Sequence, residues 1–147
     1  MNRNIDILAR TITGEARGQG QDGMELVAMV VMNRCAAAKA YCERTGKKRH
    51  PLFGDGSPAS ACLAKWQFSC WNEGDPNRAI IENLNEGYAI FRQAINIAQD
   101  AVYRKLKDRT HGSLHYYAQS MKSPPKWAEG KTPAHVEARH LFFNNID

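Results

Sequence analysis

The sequence of 147 residues lacks an apolar run long enough to cross a membrane, and it has no internal repeat or low-complexity tract. A membrane-spanning helix needs about 20 predominantly apolar residues, whereas the most apolar stretch, Leu26 to Met32, is only seven residues long. The N-terminus also lacks the apolar segment of a signal peptide. We therefore expect that the protein does not insert into a membrane. We also expect that it is synthesised in the cytoplasm without a signal peptide.

The four cysteines do not form a close Cys-x-x-Cys pair. They are Cys35, Cys42, Cys62 and Cys70. Their spacing argues against a structural zinc site. A disulfide is possible from the sequence, but cytoplasmic synthesis favours thiols. We expect free and mostly buried cysteines.

Acidic residues are outnumbered, with 15 Asp and Glu against 20 Lys and Arg, and the net charge is +5. This balance predicts an acidic partner or surface. The densest basic run, Lys47-Lys48-Arg49-His50, has no interleaved aromatic residues on which bases could stack. We therefore expect no nucleic-acid partner, and an anionic polymer is the alternative.

The apolar content of 43% and the charged content of 24% are typical of a soluble globular protein. We expect one domain, residues 1–147, of the α+β class and mainly helical. Helices are predicted near residues 5–15, from Asp22 to about Cys42, over 59–65, after Asp75-Pro76, and along a stripe of Tyr88, Phe91, Ile95, Ala98 and Val102 that ends near Leu106. Short strands are predicted over 114–118 and 136–143, which gives a small sheet.

Glu15 is the carboxylate best placed for chemistry. Ile5, Leu8, Ile12 and Glu15 follow at spacings of three, four and three, which put them on one helical stripe. A carboxyl group at the end of an apolar stripe is partly desolvated, which raises its pKa as a general acid requires. The alternative is a helix end at which Glu15 points to water.

The residues around Glu15 favour a sharp turn into a second helix. Gly14, Gly18 and Gly20 allow the backbone to turn or to approach a ligand closely. Asp22-Gly23-Met24-Glu25 has the form of a capping box. Asn33 and Arg34 follow the apolar run, and either they return polar groups to the site or they form a solvated helix end.

Several blocks of this sequence resemble the SleB-like cell wall hydrolases, which include spore-cortex-lytic enzymes and related phage lysins. The first block is Gly14-Glu15-Ala16-Arg17-Gly18 with Gly23-Met24 and Asn33-Arg34. Later blocks are Gln67-Phe68-Ser69-Cys70-Trp71, His115-Tyr116-Tyr117, and Pro125-Lys126-Trp127-Ala128 followed by His140-Leu141-Phe142-Phe143. They occur in the family's order over about residues 5–143.

Two positions depart from the family's pattern. Gln19 stands where the family often has a second glutamate, and Ala138-Arg139-His140 replaces the usual Gly-Asn-His. The first departure implies that a carboxylate at position 19 is dispensable or that the activity is altered. The second bears on the local role of His140.

The resemblance implies a lysozyme-like fold and a lytic transglycosylase that breaks the bond between N-acetylmuramic acid and N-acetylglucosamine. Glu15 would be the catalytic acid and then the base, with no cofactor and no metal. The same resemblance implies substrate-binding roles for Arg17, Gln67, Phe68, Ser69, Trp71, His115, Tyr116, Tyr117, Trp127 and His140. Peptidoglycan glycan strands are the expected partner of a monomeric enzyme, which reaches the wall on lysis or on a phage or phage-like particle.

Two other functions remain open from the sequence. His111 with His115, and His135 with His140, have spacings that metal sites use, so a zinc-dependent N-acetylmuramoyl-L-alanine amidase is one alternative. A non-catalytic wall-binding module is the other, and the Gln19 departure supports it.

Overall fold

The computed structural model describes residues 1–146, which form five α-helices, a three-stranded sheet and three short 3-10 turns. The helices are α1 (Arg3–Ala16), α2 (Gly20–Thr45), α3 (Pro58–Leu63), α4 (Pro76–Glu82) and α5 (Ala89–Val102). The strands are β1 (His115–Ala118), β2 (His135–Glu137) and β3 (His140–Phe143). The 3-10 turns are Arg17–Gln19, Ser69–Trp71 and Lys126–Ala128.

Helix α1 lies at the centre of the helical layer, in contact with all four other helices. The side chain of Asn2 caps it and accepts hydrogen bonds from the backbone N–H groups of Asn4 and Ile5. Ile5, Leu8 and Ile12 are buried as their spacing predicts. This packing fixes the direction in which the last turn of α1 presents Glu15.

Helix α2 is longer than the sequence pattern predicts. It begins at Gly20, so Asp22 lies in the first turn and does not cap the helix, and the predicted capping box is wrong. The helix continues past Asn33 and Arg34 to Thr45, where Gly46 ends it in the left-handed conformation with φ 72°. Of the two alternatives for Asn33 and Arg34, the solvated helix end is therefore excluded.

Two short helices begin as predicted from proline-containing caps. Ser57 accepts a hydrogen bond from the backbone N–H of Ser60 at the start of α3, and Asp75 accepts one from Asn77 at the start of α4. In both helices the proline occupies the first turn, where its missing N–H costs nothing.

Helix α5 buries Phe91, Ile95 and Ala98 against the core, as the stripe predicts. Tyr88 departs from the prediction, because it precedes the helix and its side chain is 53% exposed. The helix ends at Val102 and does not reach Leu106, since Arg104 adopts a positive φ of 61°.

The sheet is antiparallel with the order β1-β3-β2, and Tyr116 pairs with Phe142. The prediction of one strand over 136–143 is wrong. The segment forms a hairpin in which Ala138 and Arg139 make the turn, with φ values of 50° and 64°. Positive φ at both central residues is the requirement of a type I′ turn. The family's usual Gly-Asn would satisfy this requirement at lower cost, because glycine has no Cβ and asparagine tolerates the left-handed region better than Ala or Arg.

The four cysteines are free, and Cys35, Cys62 and Cys70 are buried. Burial raises the pKa of the Cys35 and Cys62 thiols to about 12. Within residues 1–146, no helix combines the length and the apolar character that a membrane span needs.

Candidate active site

Glu15 lies in the last turn of α1 and faces strand β1. Its Oε1 atom accepts a hydrogen bond of 2.9 Å from the hydroxyl of Tyr116. Burial raises the pKa of the Glu15 carboxyl, and the hydrogen bond from Tyr116, a thiol hydrogen bond from Cys70 and the charge of Arg34 offset this only in part. The site therefore contains a carboxyl group that holds its proton more strongly than an exposed glutamate does.

A close contact between Gly14 and Cys70 brings the 68–71 segment against the end of α1. A Cβ atom at position 14 would lie 2.9 Å from the Cβ of Cys70, closer than real Cβ contacts allow. Glycine is therefore required at position 14 for Cys70 to reach the carboxylate. Burial and the neighbouring Glu15 both raise the pKa of the Cys70 thiol, which therefore stays protonated.

Arg34 brings a buried positive charge to the site from the middle of α2. Its side chain is 4% exposed, and its guanidinium lies over the rings of Phe53 and Phe68 at 5.1 and 5.0 Å. The Nε–H donates to the carbonyl of Leu114 at 2.8 Å. The two rings and this hydrogen bond hold the charge near Glu15, where it favours the ionised carboxylate.

Tyr116 is held in place by its neighbours on one face of the sheet. The ring of His140 meets it edge-on at 5.4 Å, and the ring of Phe142 lies 5.7 Å away. The Nδ1 atom of His140 is 3.0 Å from the carbonyl of Ala138, in the hairpin turn. His140 is thus a neighbour of Tyr116, and the unusual turn residues support it.

Three further aromatic candidates, His115, Tyr117 and Trp127, lie on the opposite face of the sheet. His115 and Tyr117 alternate with Tyr116 along β1, and both contact the ring of Trp127, at 5.3 and 5.8 Å. Tyr117 also stacks on Phe143 at 5.6 Å. The structure does not bring this cluster together with Glu15.

Three candidates from the helical region are used in packing. Phe68 is 2% exposed and lies under Arg34, so it presents no surface to a sugar. Trp71 donates from Nε1 to Thr11 at 2.9 Å, and Arg17 donates to Thr13 and Asn77.

Gln67 and Ser69 lie on the same segment as Phe68 and Trp71. Ser69 is exposed and Gln67 is partly exposed, so both side chains are accessible to a ligand. Together with Glu15 and Tyr116, they are the candidates whose polar atoms remain accessible or lie at the carboxylate.

Other carboxylates near the start of α2 are engaged elsewhere. Arg109 lies 3.2 Å from Glu25, 2.9 Å from Glu137 and 3.6 Å from Asp22, so it joins α2 to the sheet. This interaction lowers the pKa of Glu137 to about 2. Asp75 caps α4 and raises the pKa of Glu15 by charge repulsion.

The histidine pairs do not form a ligand cluster. Nε2 of His135 lies 2.7 Å from Glu137, whereas His140 faces Tyr116 on the other end of the hairpin. His111 and His135 approach each other with ring centroids 6.0 Å apart. Among the residues that the structure describes, no group of three or more metal-binding side chains is found.

Arg34 and Cys70 are residues of the site that were not among the predicted site residues, although the sequence left open that Asn33 and Arg34 return polar groups to it. The signal for Arg34 was a charged residue two positions after a run of seven apolar ones, on a helix that continues beyond it. A buried helix can carry an arginine there only if the charge meets a partner. For Cys70, the signal was the glycine at position 14, which makes room for a neighbour.

Comparison with solved structures gives the fold. The chain is similar to the catalytic domain of the germination-specific lytic transglycosylase SleB from Bacillus anthracis, with a TM-score of 0.68 and 20% identity over 98% of this chain and 96% of that one. This similarity confirms the expected lysozyme-like α+β fold. No curated protein matches the sequence significantly.

Comparison with family models gives the family. The model described as Cell Wall Hydrolase matches residues 18–143, which is most of the chain. The matched span begins three residues after Glu15, so it rests on the remainder of the fold and not on the candidate acid itself. The chain therefore belongs to the cell wall hydrolase family.

Proposed function

We propose that this chain is a lytic transglycosylase in which Glu15 cleaves the glycan strand of peptidoglycan between N-acetylmuramic acid and N-acetylglucosamine. Family membership makes the protein an enzyme of the cell wall with peptidoglycan as substrate. The observation that carries the finer assignment is the Glu15 carboxyl, buried at the end of α1 and hydrogen-bonded to Tyr116.

The first step requires a protonated Glu15. The carboxyl donates its proton to the glycosidic oxygen, the bond from the muramoyl C1 to that oxygen breaks, and the N-acetylglucosamine unit leaves with a hydroxyl group. Burial, which raises the pKa of Glu15, keeps more of the acid protonated near neutral pH. Arg34 and the Tyr116 hydroxyl stabilise the carboxylate that results.

The second step uses the carboxylate as a base. It removes the proton of the muramoyl 6-hydroxyl, whose oxygen bonds to C1 and closes a 1,6-anhydro ring. The proton returns to Glu15 and no water is consumed. Glycoside hydrolysis ordinarily needs a second carboxylate, and the neighbouring Asp22, Glu25 and Asp75 are engaged in an ion-pair cluster or a helix cap. Their engagement supports a reaction in which the substrate supplies the nucleophile.

The remaining roles follow from accessibility. We propose that Gln67, Ser69 and Tyr116 contact the sugar, and that Arg17, Phe68, Trp71 and His140 position the site. His115, Tyr117 and Trp127 belong to the opposite face of the sheet, where they would meet only a more distant part of the strand. We further propose a single catalytic domain over residues 1–147 that acts as a monomer, without a nucleic-acid partner, and is delivered by lysis or by a phage-like particle.

The test is mass spectrometry of the fragments released from purified peptidoglycan. The proposal predicts anhydro-muramoyl ends, lighter by one water than the reducing ends that hydrolysis leaves. Reducing ends would show that the protein is a glycoside hydrolase and not a transglycosylase. Cut peptide stems would show that it is an amidase.

The role of Glu15 is tested by Glu15→Gln, which keeps the volume of the side chain but delivers no proton. We expect the rate to fall by at least ~10²–10⁴-fold. Glu25→Gln is the matched control, since it makes the same change in the ion-pair cluster and should leave the rate nearly unchanged. A folded Glu15→Gln protein with near-normal activity would contradict the assignment.

A further inference from the structure

Trp66 is an exposed tryptophan in a backbone conformation that tryptophan rarely adopts. Its side chain is 73% exposed and its φ is 68°. The left-handed region brings Cβ close to the following carbonyl oxygen, so it favours glycine and is costly for a bulky residue. Residues held in this way concentrate at functional sites, where the surrounding structure maintains the strain.

The conformation of Trp66 is not explained by packing of its ring. The contact recorded for its ring face is with the ammonium group of Lys65, which lies 5.3 Å from the ring centroid. The ring buries little apolar surface, and a glycine would make the same turn at lower cost. The side chain is therefore retained at a cost to stability, without a compensating contribution to the core.

A cavity of about 360 Å³ lies beside Trp66. It is lined by Leu63, Ala64, Lys65, Trp66, Phe68, Trp71, Asn72 and Glu73. The rings of Trp66 and Trp71 supply flat apolar surface, and Lys65, Asn72 and Glu73 supply hydrogen-bond donors and acceptors. Trp71 is fixed by its hydrogen bond to Thr11 on α1, so this wall is preformed.

The cavity and the candidate acid share one segment of chain. Phe68 and Trp71 line the cavity, and Cys70, between them, packs on Gly14, the neighbour of Glu15. Trp71 also donates to Thr11, which lies one turn before Glu15 on the same face of α1. A polymer bound at one position can extend to the other.

We propose that Trp66 and this cavity form an additional sugar subsite, which binds an N-acetylhexosamine ring of the glycan strand beyond the bond next to Glu15. This inference rests on the proposed function for the identity of the strand. The apolar C–H face of the sugar stacks on the Trp66 indole, and the hydroxyl and acetamido groups meet Lys65, Asn72 and Glu73. An aromatic ring with polar groups at its edge suits such a ligand.

The experiment replaces Trp66 by glycine, in the Glu15→Gln protein for binding and in the unmodified protein for cleavage. The probe for binding is the hexasaccharide of N-acetylglucosamine, measured by calorimetry. Because glycine relieves the left-handed strain, the melting temperature should rise by about 2–4 °C. The Kd for the hexasaccharide should rise on the order of tenfold, as expected for the loss of one aromatic contact.

Two controls separate the ring from the strain and from exposure. Arg104→Gly makes the same change at another left-handed residue, with φ 61°, and should raise the melting temperature without changing the Kd. Tyr103→Ala removes an aromatic side chain that is 61% exposed elsewhere on the surface, and should change neither. In the unmodified protein, the indole N–H resonance of Trp66 should shift when the hexasaccharide binds.

The outcomes for the subsite and for the proposed function are distinct. If the protein cuts glycan but Trp66→Gly leaves the Kd and the indole resonance unchanged, the subsite is refuted and the function stands. If the protein does not cut glycan but binds the hexasaccharide through Trp66, the function is refuted and the sugar site stands. Absence of both cleavage and binding refutes both.

Discussion

The helical region of residues 3–102 and the sheet region of residues 115–143 are stabilised in different ways. The helices bury aliphatic side chains of α1 and α2, together with Phe91 of α5, in one continuous core. The sheet is short, and its aromatic rings contact one another across and around β1 and β3. The Glu15–Tyr116 hydrogen bond joins the two regions. The helical region positions the acid and shifts its pKa through burial, Arg34 and Asp75, and the sheet lowers that pKa through the Tyr116 hydroxyl.

The largest expected difference concerns two buried phenylalanines, one in each region. Phe91 and Phe142 are 1% and 0% exposed, and replacement of either by alanine should cost roughly 3–5 kcal/mol of unfolding free energy through cavity formation. Only Phe142→Ala should also lower the turnover of the folded fraction, because Phe142 backs the Tyr116 ring. Denaturant unfolding and kcat should be measured for both variants. A lower turnover in the folded fraction of Phe91→Ala as well would contradict the proposed difference between the two regions.

The next prediction removes the hydrogen bond between Glu15 and Tyr116. The Tyr116 hydroxyl lowers the pKa of Glu15, so Tyr116→Phe should raise it further. A general acid loses activity as the pH rises through its pKa, so the alkaline limb of the pH–activity profile should move to higher pH. Tyr117→Phe, on the opposite face, is the control. A profile unchanged in Tyr116→Phe would show that the hydrogen bond does not act on the reacting proton.

A smaller effect is expected in the hairpin turn. Ala138 and Arg139 both adopt positive φ, so the double change Ala138→Gly with Arg139→Asn should stabilise the protein by roughly 1 kcal/mol. Activity should be preserved, because the carbonyl of residue 138 still faces His140. Thermal unfolding measures the gain, and Val136→Gly, in strand β2 of the same hairpin, should give none.

The smallest expected effect is the dependence of the Glu15→Gln stability on pH. Because the pKa of Glu15 is raised in the folded protein, the folded state holds its proton over a range where the unfolded state has lost it. The stability from this group is therefore complete below the ordinary glutamate value of about 4.5. It is lost as the pH rises through the folded pKa. Glu15→Gln should have a slightly higher melting temperature at pH 7, and the difference should vanish near pH 4.

The helices were largely predictable from the sequence because burial on one side of a helix leaves a periodic trace. On α1 this pattern is the spacing of Ile5, Leu8 and Ile12. The starts of α3 and α4 are indicated by their proline-containing caps. The start of α2 was not predictable, because Glu25 pairs with Arg109 across the fold and this leaves no pattern among its neighbours.

The sheet was harder to predict for a physical reason. The alternation of apolar and polar side chains over 136–143 would be the same in one strand as in two strands joined by a two-residue turn. Positions 138 and 139 are occupied by alanine and arginine, whereas a glycine or an asparagine there would have indicated the turn. For the site, spacing could place Glu15 at the end of an apolar stripe, but Arg34 and Cys70 depend on contacts between distant segments.

The length of α2 has a consequence for how the site can open. This helix has 26 residues, about 39 Å, and every side chain from Leu26 to Val31 is at most 2% exposed. Amide hydrogens of such a segment exchange with solvent only when the whole protein unfolds. The segment from Leu26 to Val31, which precedes Arg34 on α2, is thus expected to be the last part of the molecule to unfold. In the exposed connection over residues 119–124, by contrast, amide exchange should be much faster.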